Sequence, residues 1–157
     1  MQTSQTDSFI LFDLAGTTYA VRSQDVQHME MVEQITPVPN APSYLEGVVF
    51  SRGQVTPAVN LRSRFGFPRQ EHTSRSRLMV VQSGDRRVGL IVDAAREFRN
   101  ISPEAIRPPN EAIAGLSGNY LQGIAIVEQR LILILDIKEV LNLDVALPGP
   151  QLAAQHA

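Results

Sequence analysis

Along residues 54–61 apolar and polar side chains take turns: Val55, Pro57, Val59 and Leu61 alternate with Gln54, Thr56, Ala58 and Asn60. A period of two predicts a half-buried strand. Residues 131–135 are apolar at every position, which predicts a strand covered on both faces and lying nearer the middle of the molecule. Two further pairs of short apolar runs, 9–14 with 19–21 and 78–81 with 88–92, are separated by turns at Gly16 and at residues 84–86. Each pair predicts a hairpin.

These elements repeat. Tyr44-Leu45-Glu46-Gly47-Val48-Val49 returns 76 positions later as Tyr120-Leu121-Gln122-Gly123-Ile124-Ala125, and the alternating strand at 54–61 then aligns without a gap on residues 130–137. Asn60 and Asp136 share one repeat position, and both are good helix N-caps. Glu139 lies three residues after Asp136, which predicts a capping box there. A short helix is expected to end near Phe65, where Gly66 and Pro68 stop it, and a longer one to run to about Leu143. The chain thus divides into two halves, about 9–65 and 77–143, joined by a polar connection at 66–76. Residues 1–8 are expected to be disordered, and residues 146–157, with Pro148, Gly149 and Pro150, to form a mobile tail. Short antiparallel strands with Gly and Pro turns point to a mainly all-β fold of two small closed barrels. Neither half buries much surface alone, so the barrels must pack together, and the groove between them is the expected binding site.

Composition changes the picture by exclusion. The 157 residues are 43% apolar and 19% charged, a globular balance. Cysteine is absent, which removes disulfides, thiolate zinc sites and a cysteine nucleophile. A net charge of −2 argues against nucleic acid as a partner. The start lacks the basic and apolar regions of a secretory signal, and the longest apolar run is far too short to span a membrane. A cytoplasmic location without direct membrane insertion is the expectation. Charge is uneven along the chain. Arg62, Arg64, Arg69, Arg75 and Arg77 face one acid, Glu71, whereas Asp25, Glu30, Glu33 and Glu46 occupy a stretch without a base. The first is either a solvated linker or part of electrostatic steering between protein partners.

Catalytic patterns are lacking. His28, His72 and His156 have no second ligand at metal spacing, and there is no GxSxG, Walker or GxGxxG motif. The glycine-rich residues 115–118 lack the strand and helix that would place them over a phosphate. Asp93 with Glu97, and Asp136 with Glu139, read as strand-end and helix-start residues. The expectation is a protein that is not an enzyme and needs no cofactor or metal.

One set of motifs is specific. Thr36-Pro37-Val38-Pro39-Asn40-Ala41-Pro42-Ser43-Tyr44-Leu45-Glu46-Gly47-Val48 is followed by Arg52-Gly53, Pro57 and Asn60-Leu61-Arg62. Then come Val88-Gly89-Leu90-Ile91-Val92-Asp93, Ile106-Arg107-Pro108-Pro109 and Tyr120-Leu121-Gln122-Gly123. In order and spacing the chain resembles a single CheW-like domain over about residues 9–145. The resemblance implies two five-stranded SH3-like barrels with short helices. It also implies an adaptor that couples the regulatory domain of a CheA-like histidine kinase to the cytoplasmic tip of a methyl-accepting chemotaxis receptor, in chemotaxis or a related motility or surface-sensing pathway. The receptor-facing residues would be Val26, His28, Arg52 and Gly53. Strand alternation places Val26 and His28 on one face. Ala112 falls in a loop where relatives carry a bulky aromatic, and Ile113 and Leu116 are the apolar candidates for an array or kinase contact. Two residues depart from the family pattern: His28 stands where an acid is common, and Asn60 where Asp is common. The first makes the patch less acidic and gives it a titratable group near neutrality. The competing reading is a small-ligand-binding or enzyme-associated domain on a twin-barrel scaffold.

Overall fold

The computed structural model describes residues 7–109 and 120–142. Eleven strands occur among them: β1 Asp7–Leu14, β2 Thr17–Arg22, β3 Val26–Met31, β4 Leu45–Ser51, β5 Gln54–Asn60, β6 Arg77–Ser83, β7 Arg86–Val92, β8 Ala94–Ile101, β9 Ile106–Arg107, β10 Leu121–Val127 and β11 Arg130–Leu135. The α-helices among the described residues, α1 Leu61–Arg64 and α2 Ile137–Val140, are single turns, and Ser23–Asp25 and Pro103–Ala105 are short 3-10 helices. Asp7 and Ser8, expected in the disordered start, instead open β1; Arg22 binds the Asp7 carboxylate at 2.5 Å and Ser8 donates to Asn100.

The strands form two small barrel-like sheets, ordered β8-β1-β2-β11-β10-β9 and β3-β6-β7-β5-β4. These do not follow the contiguous halves 9–65 and 77–143. The first hairpin, β1–β2, is inserted into the sheet of the second half, between β8 and β11. The second hairpin, β6–β7, is inserted into the sheet of the first half, between β3 and β5. Each insertion is sealed by a parallel pair, β2 with β11 and β5 with β7. The repeat predicted the strands but not the exchange, because local patterning marks a hairpin without saying which sheet receives it.

The exchange explains where the core lies. Each barrel has a small core of its own, around Phe9, Leu11, Ile132 and Ile134 in one and Leu78, Val80 and Ile91 in the other. The largest apolar cluster lies between them and draws on both: Phe12, Leu14, Tyr19 and Val21 meet Val59, Leu61, Met79, Leu90, Leu135 and Val140. The expected groove between the barrels is therefore filled by core side chains. Thr56 and Ala58 are buried together with Val59, so β5 is covered on both faces from Thr56 onward, while Val55 is 68% exposed. Leu131, expected inside, is also exposed. The apolar strand is not the more buried copy: Leu131 is as open at its hairpin tip as its counterpart Val55, and Leu133 is half-buried where Pro57 is buried.

Repeat positions with backbone roles are preserved. A Cβ on Gly47 would lie 2.1 Å from the Thr36 carbonyl oxygen, which accepts from the Val48 amide while the Thr36 amide donates to the Val48 carbonyl; on Gly123 it would meet the movable Ile106 side chain at 2.8 Å. The Asn60 amide donates to the Tyr44 carbonyl and the Asp136 amide to the Tyr120 carbonyl. Both residues open a helix. Asn60 Oδ1 accepts from the Ser63 amide at 3.0 Å, but Asp136 makes no side-chain cap bond, so the expected capping box is not formed. Nor is α2 the longer helix. Its last carbonyls are taken by arginines from elsewhere: Arg64 donates to Val140 and Asn142 and Arg86 to Leu141. Arg64 reaches across between the repeat-related Tyr44 and Tyr120, 5.5 and 4.9 Å from their ring centres, a cation–π bridge from one half to the other.

Candidate partner-binding surfaces

The β4–β5 turn carries Arg52 and Gly53 at φ of 50° and 80°, with Ser51 opposite Gln54. Left-handed residues at both central positions match the twist of the strands they join. The turn lies against the edge strand β3, closing the barrel at what is here termed the first seam. The join is made by side chains. Glu30 Oε2 accepts from the Ser51 hydroxyl at 2.5 Å and lies 2.7 Å from His28 Nε2, while His28 Nε2 and Ser51 Oγ are 3.1 Å apart. Ser51 is buried and only 8% of the His28 side chain is exposed, against 37% for Glu30. Burial works against the Glu30 carboxylate, but the Ser51 and His28 hydrogen bonds, with the nearby Arg52 charge, outweigh it and hold its pKa below the ordinary range.

A β-bulge corrects the expected geometry of the receptor-facing residues. Val26 opposes Val81 and His28 opposes Val80, leaving Gln27 as the extra residue. Val26 then packs against the central core with Met29, while His28 and Glu30 turn together toward Ser51. The structure thus brings His28, Arg52 and Gly53 to one seam and places Val26 on its inner side. Ile113 and Leu116, like Ala112, lie outside the described residues. Glu30 and Ser51 were not singled out from sequence. No local signal could have found them, since the cluster joins residues about twenty apart that meet only when the edge strands close.

Ser, His and Glu in contact invite comparison with a nucleophilic triad. Here the hydroxyl proton goes to the carboxylate, and histidine and serine converge on one oxygen instead of forming a relay in series. A serine 3% exposed has no path to a substrate. The cluster is a clasp. His72, 2.9 Å from Glu46, belongs to a second polar knot: Glu46 Oε2 also accepts from Asn60 at 2.6 Å and from Arg69 at 3.0 Å. Burial opposes the Glu46 charge, but these bonds hold its pKa low. Part of the basic connection therefore neutralises the acidic stretch within the chain. The knot also gives Asn60 a reason to replace Asp, because its amide caps α1 through oxygen and donates to Glu46 through nitrogen. Nearby, Asp93 is burdened by desolvation, yet Arg62 at 2.7 and 2.9 Å and the Ala15 amide keep its pKa low. Among the described residues, no group of three His, Asp or Glu side chains is arranged to hold a metal, and no helix is long and apolar enough to cross a membrane.

The other barrel has an equivalent seam, where β8 meets the β10–β11 turn. The bulge is duplicated there, with Ala95 opposite Phe12, Glu97 opposite Leu11 and Arg96 extra. It aligns Glu97 with His28 and Arg99 with Glu30. The 76-residue repeat aligns Val127 with Ser51, Glu128 with Arg52 and Gln129 with Gly53; Glu128 and Gln129 are again left-handed, at 53° and 67°. Arg99 pairs with Glu97 at 3.1 Å and with Glu128 at 3.5 Å. Beside each turn stands an outward apolar cross-strand pair: Phe50 with Val55, 77% and 68% exposed, and Ile126 with Leu131, 46% and 62% exposed.

Comparison with known proteins gives a consistent result. The profile of the CheW-like domain matches residues 8–145. Similar proteins include the chemotaxis protein CheW of Bacillus subtilis, 31% identical over 87% of this chain and 87% of that one. The CheW protein of Klebsiella aerogenes is 28% identical over 85% and 81%. Among solved structures, the scaffolding protein TtCheW of Thermoanaerobacter tengcongensis superposes with a TM-score of 0.82 at 27% identity, covering 89% of this chain and 95% of that one.

Proposed function

The chain belongs to the CheW-like domain family, and we propose that within this family of chemotaxis scaffolds it acts as a cytoplasmic adaptor, without chemistry of its own, between the regulatory domain of a CheA-like histidine kinase and the tip of a methyl-accepting receptor. The observation that carries the reading is the match along residues 8–145, to which each barrel adds an apolar pair turned outward at a hairpin tip. Such pairs suit transient signalling interfaces with an apolar centre and polar rim. The receptor-facing patch in this reading is His28, Arg52 and Gly53, with Val26 on its inner side. Glu30 supplies the carboxylate that the family pattern places at position 28. Ile113 and Leu116 are the proposed additional array or kinase contacts.

Calorimetric titration with the regulatory domain of a CheA-like kinase from the same organism, and separately with a receptor-tip fragment, tests the reading. Micromolar-class binding to each is expected. Absence of heat and of co-elution with any such kinase would overturn it.

A further inference from the structure

The connection 66–76 is far longer than its task. In the sheet order β6-β7-β5 only β7 separates the strands it joins, and Ile91 lies opposite both Asn60 and Leu78. Two strand spacings, about 10 Å, part those residues, whereas residues 66–76 could reach about 36 Å if extended. The slack is gathered into an exposed loop whose ends lie close together, the form of an Ω-loop. Its start is tied to α1, where the Phe67 amide donates to the Arg62 carbonyl, and its end is closed by a turn in which the Ser76 amide donates to the Thr73 carbonyl. Between these points residues 69–72 are held, among the described residues, by two side chains that reach one carboxylate: Glu46 Oε2 lies 3.0 Å from Arg69 and Oε1 2.9 Å from His72. Glu46 is only 10% exposed, against 52% for Arg69 and 31% for His72, and the Asn60 amide steadies it at 2.6 Å. The catch is fixed in the body of the barrel, and both hooks are on the loop.

Behind the loop lies a cavity of about 440 Å³, walled by residues 70–76 on one side and by Asp13, Asn60, Arg62 and Asp93 on the other. We propose that residues 66–76 form a pH-gated strap, latched on Glu46 by His72 and Arg69 and loosened where His72 is uncharged, and that its release opens the cavity behind it. Histidine gains and loses its charge around neutrality. With His72 protonated, two positive charges converge on Glu46; with His72 neutral, its ion pair is gone, a weaker hydrogen bond remains, and Arg69 is the one charged hook. The other charges around His72 do not take over the catch. Across the cavity Arg62 pairs with Asp93 at 2.7 Å and Asp13 with Arg96 at 3.1 Å, while on the loop itself Glu71 and Arg75 are exposed. Burial opposes the Glu46 charge, but the hydrogen bonds from Asn60 and His72 and the Arg69 charge hold its pKa below the ordinary range, so the catch stays ionised at neutral pH. Release therefore follows the histidine, and it turns Arg69 from an internal partner into a charge offered to solvent.

The device does not depend on which kinase or receptor the chain serves, and its test uses the full chain alone. The sequence has no cysteine, so Gln70→Cys, between the two hooks, supplies a single thiol for a nitroxide spin label. The mobile fraction of the label's paramagnetic resonance spectrum should rise about two- to fivefold between pH 6 and pH 8, with the far-ultraviolet circular dichroism unchanged. In the labelled chain, His72→Gln should give the pH 8 mobility at both pH values, because it keeps a hydrogen bond and carries no charge. His72→Lys, charged throughout, should give the pH 6 mobility at both. Glu46→Gln removes the catch and should leave the label mobile at both. A label equally mobile at pH 6 and pH 8, a pH response that survives His72→Gln, or mobility that appears only as circular dichroism is lost would each overturn the proposal.

Discussion

At the first seam a buried serine and an almost covered histidine hold Glu30, and Arg52 stands exposed beside them. At the second, Val127 replaces the serine, and a half-buried Arg99 lies between Glu97 and Glu128. The bulges, the left-handed turns and the outward apolar pairs are nevertheless the same. The repeat has kept the backbone geometry and the apolar pairs and changed the polar side chains between them. One seam became a clasp hydrogen-bonded through a buried serine, and the other a network of charges alone. The lesson is that repeat symmetry predicts main-chain geometry here far better than side-chain chemistry.

The sharpest way to break the comparison is at the paired glycines. Gly47→Ala forces a Cβ against the Thr36 backbone at a φ of 153°, whereas Gly123→Ala meets chiefly the tip of Ile106. Chemical denaturation should show a loss of more than about 3 kcal/mol for the first and about 1 kcal/mol for the second. Equal costs would mean that the two crossings are equally tight. A smaller asymmetry is expected at the helix starts. Asn60→Asp replaces the donor 2.6 Å from Glu46 with a second carboxylate and should cost about 2–3 kcal/mol. Asp136→Asn, at a cap that makes no side-chain bond, should change stability by less than about 0.5 kcal/mol.

The carboxylates held below their ordinary range, Glu30, Glu46 and Asp93, lie in or against the barrel of the first seam. A depressed folded-state pKa adds stability that is present above the unfolded-state value and is lost as pH falls through the folded one. Denaturation midpoints should therefore drop between about pH 5 and pH 3. Glu46→Gln should lower stability at neutral pH and flatten this slope. An unchanged slope would show that the knot around Glu46 contributes nothing to acid sensitivity. Binding should change only modestly: Arg52→Ala should weaken the receptor complex about tenfold or less, leaving the kinase complex nearly intact. His28→Glu, which on sequence grounds would restore a receptor-binding acid, should instead weaken binding, because it sets a second carboxylate against Glu30.

The strands, hairpins and both helix starts were legible because period-two patterning, glycine turns and capping residues act within a few residues of one another. The exchange of hairpins was not, since it is decided by which sheet buries Phe12 and Val21 or Val81 and Leu90 after the strands have formed. The burial of β5 was misread for a related reason: Thr56 and Ala58 look like an outer face until the barrel closes over them. At the first seam the sequence indicated His28, Arg52 and Gly53. It was silent on Glu30 and Ser51, and the bulge at Gln27 that turns Val26 inward has no glycine or proline to announce it.

Co-sedimentation of a receptor-tip assembly with the kinase, with and without this chain, tests the adaptor role most directly. An adaptor predicts that kinase pellets in proportion to added chain and that all three components appear together. Kinase that pellets equally without the chain, or that displaces the chain from the receptor instead of joining it, would contradict the account.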